Sequence, residues 1–156
     1  MAINRGKQFE AKVREDFIRT FPDGTIDRLY DPVGGYVGIK NVCDFIGFYK
    51  KNIFYLEVKS KDGNTFPFTN LSQYDKLTGK VDIPGVRVGV IIWFKAHDKV
   101  IYVPIKTITQ MKKGNKKSIN IKKDLEEYRI FEIPSVKKRV FLDSDYTILS
   151  NLEDGD

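Results

Sequence analysis

The sequence is poor in the residues that build disulfides and soft-metal sites. It has one cysteine, Cys43, and one histidine, His97, among 156 residues. A single cysteine excludes an internal disulfide and a cysteine-cluster metal site, as is typical of a reducing compartment. A single histidine argues against multi-histidine metal sites and against a histidine general base. No apolar run approaches the ~20 residues that span a bilayer, and no signal peptide opens the chain, so we expect a cytoplasmic protein with no membrane partner.

Length and composition predict one folded domain with a basic surface. The 156 residues are enough to bury one core, and 41% hydrophobic with 13% aromatic residues argue for a globule rather than disorder. We therefore expect a single domain over residues 1–156. The net charge is +6, with +8 over residues 99–142 and −5 over the acidic tail at about 143–156, whose end we expect to be solvated. A basic globule suits a nucleic-acid partner, although solubility explains the charge equally well.

The predicted elements indicate a layered α/β (α+β) fold with a mixed central sheet flanked by helices. Helices are predicted over Arg5–Phe21, from Asn70 or Ser72 to about Thr78, and over Ile105–Lys113, with a helical turn or two over Lys122–Tyr128. Strands are predicted over Thr25–Tyr30, Val42–Tyr49, Ile53–Ser60, Val86–Phe94 and Lys99–Ile105. The strand over Val86–Phe94 is almost wholly apolar, so we expect it to be covered on both faces.

The most informative segment is the pair of strands on either side of the polar break Lys50–Asn52. This pattern predicts a β-hairpin. If the connection has an even number of residues, Phe48 pairs with Ile53. Counting back along the ladder then places Asp44 opposite Glu57, where opposed Cβ atoms lie roughly 5 Å apart on one face.

Strand alternation adds a third charged residue to this face. Lys59 lies two residues beyond Glu57 and so points to the same side of the sheet. Hard cations such as Mg²⁺ take oxygen ligands and keep several waters, so the carboxylates of Asp44 and Glu57 suffice to hold one. Lys59 can then position or deprotonate a water. The pattern therefore predicts a metal site that cleaves phosphodiesters.

A surface ion pair is the simplest alternative, because such pairs are common on sheets and contribute little. A bare E-x-K triplet is also weak support, since Glu10-Ala11-Lys12 matches it on a predicted helix. However, a surface ion pair poorly explains an aspartate within V-C-D-F-I-G-F, because aspartate is depleted in strands. We therefore favour a functional site at Asp44, Glu57 and Lys59.

Other residues are candidates on weaker grounds. Gln73, on the helix after the hairpin, can reach the scissile phosphate or be merely an exposed polar residue. Candidate phosphate contacts are Arg5, Lys7, Lys40, Lys61, Lys116 and Lys117. Tyr36 and Phe66, both in predicted loops, can stack on unpaired bases, although core packing or a partner interface explains either one alone. Cys43 and Trp93 are expected in the core.

Longer motifs resemble the RecU-type Holliday junction resolvases of the PD-(D/E)XK, restriction-endonuclease-like, nuclease superfamily. The spacing D-x12-E-x-K after an N-terminal helix carries the likeness to the superfamily. The narrower likeness rests on N-R-G-K-Q-F-E at Asn4–Glu10, the block Asp44–Lys59, T-F-P-F-T-N-L-S-Q at Thr65–Gln73, V-I-I-W-F at Val90–Phe94 and K-K-S-I-N-I-K-K-D-L-E-E at Lys116–Glu127. It covers most of the chain in the expected order.

The resemblance implies a restriction-endonuclease-like fold and a homodimer that nicks two strands of a four-way DNA junction symmetrically, using Mg²⁺ or Mn²⁺. It further implies that Asp44, Glu57 and the Val58 carbonyl bind metal, that Lys59 orients the nucleophile and that Glu10 is an acid near the metal. RecU proteins carry a stalk before the catalytic aspartate, whereas the span 31–42 is short and glycine-rich here. Tyr36 and Lys40 can form a reduced version of this stalk. The short chain suits a phage-encoded member of the family, which would act in the host cytoplasm.

Three other functions remain open at this point. The closest is a restriction, repair or replication endonuclease on the same fold, which would prefer linear duplex or flaps to junctions. The second is a non-catalytic DNA-binding module that keeps the fold and the basic surface. The third is a nucleoid or packaging protein, which would bind DNA without preference for junctions and without cleavage.

Overall fold

The protein is built around a six-stranded sheet, seen in a computed structural model that describes residues 4–30 and 40–156. The helices of this part of the chain are α1 Arg5–Thr20, α2 Tyr74–Thr78 and α3 Ile105–Lys113. Its strands are β1 Thr25–Arg28, β2 Phe45–Tyr49, β3 Asn52–Lys61, β4 Thr65–Pro67, β5 Val86–Phe94, β6 Lys99–Pro104, β7 Ser118–Asn120, β8 Phe131–Ile133, β9 Ser135–Lys137 and β10 Leu142–Ser144. Short 3₁₀ helices occupy Phe68–Asn70, Lys95–His97 and Thr147–Asn151.

The central sheet has the order β1-β2-β3-β5-β6-β8 and is mixed. The pair β3 and β5 is parallel, whereas its other neighbouring pairs are antiparallel. Two small antiparallel pairs, β4 with β7 and β9 with β10, complete the described topology. The mixed sheet with flanking helices confirms the predicted fold class.

Helix α1 covers one face of the sheet. Asn4 caps it, because its side-chain oxygen accepts a hydrogen bond from the Lys7 amide at 3.1 Å. Phe9, Val13 and Phe17 recur at four-residue spacing and are buried against the sheet. Gly47 allows the close approach, since a Cβ there would lie 3.0 Å from the Phe17 ring. The predicted helix is confirmed to within one residue at its C-terminal end.

Helices α2 and α3 cover the opposite face. Ile105, Ile108 and Met111 of α3 are fully buried in a second apolar cluster with Leu77 of α2. Every residue of β5 is buried, as expected for a strand covered on both sides. The bounds of β5 and α3 are those predicted from the sequence.

Several predicted boundaries are wrong. The helix expected from Asn70 or Ser72 begins at Tyr74, because Phe68–Asn70 forms a separate 3₁₀ turn and Gln73 occupies the cap position without a side-chain cap bond. By contrast, Lys122–Tyr128 forms turns, in which the Tyr128 N–H donates to the Asp124 carbonyl at 3.1 Å, so the predicted helical turn or two is confirmed. The strands β4, β7, β8, β9 and β10 were not predicted.

The expectation that the acidic tail ends in solvent is also wrong. Leu149 and Leu152 are buried in the core under α1. Asp154 accepts a hydrogen bond from Arg87 at 2.7 Å, and the side chain of Asp156 accepts one from Arg129 Nη2 at 2.7 Å. The tail is therefore held by the burial of its apolar side chains and by ion pairs with Arg87 of β5 and with Arg129.

None of the helices in the described ranges combines the length and the apolar character that crossing a bilayer requires.

Candidate active site

The β2–β3 hairpin has the register predicted from the sequence. Phe48 pairs with Ile53 and Phe45 with Leu56 across a two-residue turn, in which Lys50 has a φ of 55°. The strand β2 begins at Phe45 rather than Val42, so Asp44 lies one residue beyond the ladder instead of within it. The hairpin nevertheless ends where the charged residues begin.

Asp44 is tied to the neighbouring strand by a hydrogen bond. Its Oδ2 accepts from the backbone N–H of Val58 at 2.8 Å. Asp44 is half-buried, so this bond forms at the edge of the core rather than in open solvent. The contact fixes the Asp44 carboxylate beside the residues of β3 that follow Leu56.

Glu57 is the most unusual side chain of the described structure. It is fully buried, and Lys59 Nζ lies 2.8 Å from its Oε1 as an ion pair. Oε2 has no hydrogen-bond partner among the described residues. Burial, reinforced by the charge of Asp44 and opposed by that of Lys59, raises the pKa of Glu57 to about 7.

Cys43 lies close to these carboxylates but has no role in chemistry. Its Sγ donates to the Phe45 carbonyl at 3.1 Å, and it is buried as expected. Burial, together with the charges of Glu57 and Asp44, raises the pKa of Cys43 to about 12. The thiol therefore stays neutral, which excludes it as a nucleophile.

Glu10 reaches the edge of the same site from α1. Its charge contributes to the raised pKa of Glu57, though less than that of Asp44. Arg28 of β1 pairs with the Glu10 carboxylate, and the guanidinium of Arg28 lies 5.6 Å from the Phe45 ring centre. Glu10 is thus held in place from a second strand.

A groove of about 650 Å³ opens beside Glu10 between α1 and β1. It is lined by Lys7, Ala11, Arg14, Asp27, Arg28, Tyr30 and Phe45 in addition to Glu10. Arg14, Arg28 and Tyr30 were not predicted from the sequence as site residues, and Tyr30 is 78% exposed. In the sequence, Arg28 is recognisable only as an arginine near the end of a predicted strand. Its position at the site follows from the pairing of Arg28 with Phe45, which the sequence does not show.

The donors of this site suit a hard cation. A buried carboxylate oxygen without a hydrogen-bond donor, such as Oε2 of Glu57, is costly unless something else compensates it, and a cation bound by Glu57 and Asp44 would do so. Within residues 4–30 and 40–156, no three histidine, cysteine or acidic side chains are gathered closely enough to hold a metal unaided. A cation here would complete its shell with a backbone carbonyl such as that of Val58 and with water.

The other predicted residues lie in different surroundings. Arg5, Lys7, Lys40 and Lys117 are exposed, and Lys61 lies on β3 on the same face as Lys59. Lys116 donates to the buried carboxylate of Asp124 at 2.7 Å, so its ammonium already has a structural partner.

Three further candidates are not basic. Tyr36 lies outside the described residues. Gln73 accepts a hydrogen bond from the Ser72 hydroxyl at 2.9 Å, and none of its hydrogen bonds reaches the carboxylates of the site. Phe66 is buried, in agreement with core packing.

Comparison with known families decides the class of the protein. A family model described as RecU, Recombination protein U, matches residues 28–143, which is more than half of the chain. The chain belongs to the RecU family. RecU proteins are Holliday junction resolvases and metal-dependent nucleases, so the predicted enzyme class is confirmed.

Solved structures and curated proteins were also compared with this RecU-family chain. It is similar to the 1.6 Å structure of Hjc from Archaeoglobus fulgidus, a Holliday junction resolvase from an archaeal hyperthermophile, with a TM-score of 0.55 and 15% sequence identity. The match covers 74% of this chain and 88% of that one, and at this identity it shows the fold alone. No curated protein matches the chain.

Proposed function

We propose that this RecU-family chain is a Mg²⁺-dependent endonuclease that resolves four-way DNA junctions as a homodimer, by paired symmetric nicks. The observation that carries the proposal is Glu57, which is fully buried beside Asp44 and has Lys59 at one oxygen but no hydrogen-bond donor at Oε2 among the described residues. A buried, incompletely compensated carboxylate beside a second carboxylate supports a cation site rather than a surface ion pair.

The residues of the site divide into ligands and positioning groups. Asp44 and Glu57 are the proposed carboxylate ligands, with the Val58 carbonyl as a third protein ligand. Mg²⁺, or Mn²⁺ in its place, supplies Lewis-acid stabilisation of charge on the phosphoryl oxygens and lowers the pKa of bound water. Glu10 is the proposed acid at the edge of the site, where Arg28 orients its carboxylate.

Lys59 is the proposed positioning group for the nucleophile. Its ammonium, 2.8 Å from Glu57, donates hydrogen bonds and accepts none, so it can hold an attacking water in line with the leaving 3′ oxygen. Cleavage of the bond between phosphorus and the 3′ oxygen leaves 5′-phosphate and 3′-hydroxyl ends. Gln73 is kept as a candidate contact to the scissile phosphate.

Basic residues around the site are proposed to bind the DNA backbone. The candidates are Arg5, Lys7, Lys40, Lys61 and Lys117, with Tyr36 as a candidate for stacking and Lys116 as a weaker candidate because of its pairing with Asp124. Lys7 has further support, since it lines the same groove as Glu10 and Arg28. Backbone contacts carry no sequence information, so selectivity for junctions is assigned to shape and to two symmetric active sites a fixed distance apart.

The decisive experiment compares cleavage of a four-way junction with that of linear duplex and flaps of the same sequence, with and without Mg²⁺. Junction nicking that requires Mg²⁺ and disappears in Asp44→Asn, while junction binding survives, is the expected result. Preference for linear duplex would instead identify a restriction or repair enzyme. Junction binding without cleavage by the wild-type protein would identify a non-catalytic module.

The dimer needs its own measurement, and two other expectations stay predictions. Sedimentation of the protein bound to a junction should give two chains per junction, and one chain per junction would refute paired nicking by a dimer. The single domain over 1–156 and the cytoplasmic location predicted from the sequence stay predictions.

A further inference from the structure

The β9–β10 hairpin is fastened to the exposed side of α1. Asp16, buried on α1, accepts a hydrogen bond from the Ser144 amide at 3.0 Å. Lys12 Nζ lies 2.9 Å from Asp16 and 2.6 Å from Asp143, and so joins the helix to β10. Because Asp16 is almost completely buried, these bonds are little weakened by water.

A row of three aromatic rings anchors the tip of the same hairpin. Phe141 lies 5.2 Å from Trp93 of β5, and Trp93 lies 5.3 Å from Phe9 of α1, measured between ring centres. Phe9 directly precedes Glu10. The hairpin tip therefore packs, through Trp93, against the helical turn that carries Glu10.

The residues at the tip are basic. Lys138 and Arg139 stand at the tip, both exposed, and within the described ranges Arg139 has no carboxylate within 4 Å. Among the described residues, Lys138 pairs with Asp143 alone, at a distance of 3.6 Å, and its side chain is 58% exposed. The neighbouring Lys137 already pairs with Asp98, at 2.5 Å.

A second groove, of about 560 Å³, runs between this tip and α1. Arg5 lines it from the first turn of α1, opposite Lys138 and Arg139. Its acidic residues are Glu15 and Asp143, and Lys12 lies within 4 Å of both. Four basic residues (Arg5, Lys12, Lys138 and Arg139) against these two acidic ones leave the lining of the groove with a net charge of +2.

This groove lies on the other side of α1 from the groove that contains Glu10, Arg14 and Arg28. Arg5 and Lys7, two residues apart on the first turn, line one groove each. A polyanion that enters the active-site groove and continues across the N-terminal turn of α1 meets the hairpin tip next. DNA duplex has the required charge density, at one phosphate per ≈ 1.7 Å of axis.

We propose that Lys138 and Arg139, together with Arg5, bind the backbone phosphates of a duplex arm of the substrate, away from the strand that is cut. The inference rests on the proposed function, since it names a second contact for the same substrate. It predicts a role in affinity and arm length, not in the chemical step. Lys138 and Arg139 are binding residues and are separate from the metal site.

The test uses the double variant Lys138→Gln/Arg139→Gln of the full chain. Binding is measured in chelator, so that no strand is cut, on four-way junctions with long and with short arms over a range of salt. Two lost phosphate contacts should lower the affinity for long arms about tenfold and reduce the slope of log K against log salt by about 2. With arms too short to reach the hairpin, wild type and variant should bind alike.

The matched control is Lys50→Gln/Lys51→Gln, which removes two charges at the turn of the β2–β3 hairpin. That turn lies six residues, or roughly 20 Å of strand, from Glu57 in the middle of β3. The control should keep both the wild-type affinity and the wild-type salt slope. Lys138→Arg/Arg139→Lys, which keeps the charges, should restore binding and so shows that a loss in the Gln variant is electrostatic.

The outcomes separate this inference from the proposed function. An unchanged affinity and slope in the Gln variant overturns the second contact while wild-type junction nicking stands. An equal loss on short and long arms also overturns it, because the contact would then lie at the junction centre. Wild-type protein that neither prefers nor nicks junctions would refute the proposed function itself.

Discussion

The carboxylate of Asp44 and the backbone N–H of Val58 are joined by a hydrogen bond of 2.8 Å. The bond holds one proposed metal ligand against the strand that carries the other, before any cation binds. Such preorganisation reduces the cost of assembling the site. The arrangement leads directly to a prediction that separates metal binding from folding.

Asp44→Asn should leave the metal-free stability nearly unchanged, because the amide oxygen can still accept from Val58. It should abolish stabilisation by Mg²⁺, which for the wild type amounts to about 2.7 kcal/mol at a concentration 100 times the dissociation constant. Thermal unfolding with and without Mg²⁺ measures both effects. Asp75→Asn, on the exposed surface of α2, is the control and should keep the Mg²⁺ response. An Asp44→Asn protein that Mg²⁺ still stabilises fully would refute the ligand assignment.

The raised pKa of Glu57 predicts how metal-free stability depends on pH. Between the ordinary value of 4.5 and about 7, the folded protein holds a proton on Glu57 that the unfolded chain releases. The free energy of unfolding should therefore fall as the pH rises through this window, by an amount on the order of 3 kcal/mol. Urea unfolding in chelator at pH 5 and pH 8 measures the change.

Glu57→Gln is the matched variant for this titration. It lacks the ionisable group but keeps the size of the side chain, so its stability relative to wild type should improve from pH 5 to pH 8. The contribution of Glu57 is contradicted if the two proteins lose stability in parallel over this range. Nicking should be lost in the variant at every pH.

Arg28 should control the chemical step through Glu10. In Arg28→Ala the Glu10 carboxylate loses its partner and its fixed direction, and misplacement of this kind costs about 100-fold in rate when it reaches the reacting groups. Single-turnover nicking at saturating protein measures this loss apart from binding. Glu10→Gln combined with Arg28→Ala should be little slower than either single change. Fully additive losses would mean that the two residues act separately.

Asp16 should contribute strongly to stability although it lies outside the active site. Its buried carboxylate is shared by Lys12, Arg19 and the Ser144 amide. Asp16→Ala leaves the Ser144 amide without its acceptor, while Lys12 keeps Asp143 and Arg19 keeps the Ser144 carbonyl. We expect a loss of about 1–3 kcal/mol in the free energy of unfolding. Glu15→Ala, one residue earlier on the exposed side of α1, should change it by less than about 0.5 kcal/mol. Similar losses for both variants would contradict the role assigned to burial.

The sequence predicts the elements whose signals are local. The cap at Asn4, the apolar spacing of Phe9, Val13 and Phe17, and the even turn that pairs Phe48 with Ile53 are all found in the structure. Asp44 and Glu57 follow from that same register, which is why the proposed site was found from the sequence.

The features that were missed depend on distant parts of the chain. Strand β4 exists because Phe66 pairs with Ile119, more than fifty residues away, and three-residue strands carry almost no periodic signal. Arg28 joins the site only through the pairing of β1 with β2. The acidic tail was predicted to be solvated because charged residues dominate its local sequence. Arg87 and Arg129, which pair with Asp154 and Asp156, lie 67 and 27 residues earlier in the chain and leave no signal there.

Trp93 is the only tryptophan of the chain, and it lies between Phe9 and Phe141. All of the intrinsic indole fluorescence therefore originates from one position, beneath both the helical turn that carries Glu10 and the basic hairpin tip. A junction arm that moves either element changes the surroundings of this single fluorophore. Substrate engagement can then be followed in real time by emission, with no dye attached to the protein or the DNA.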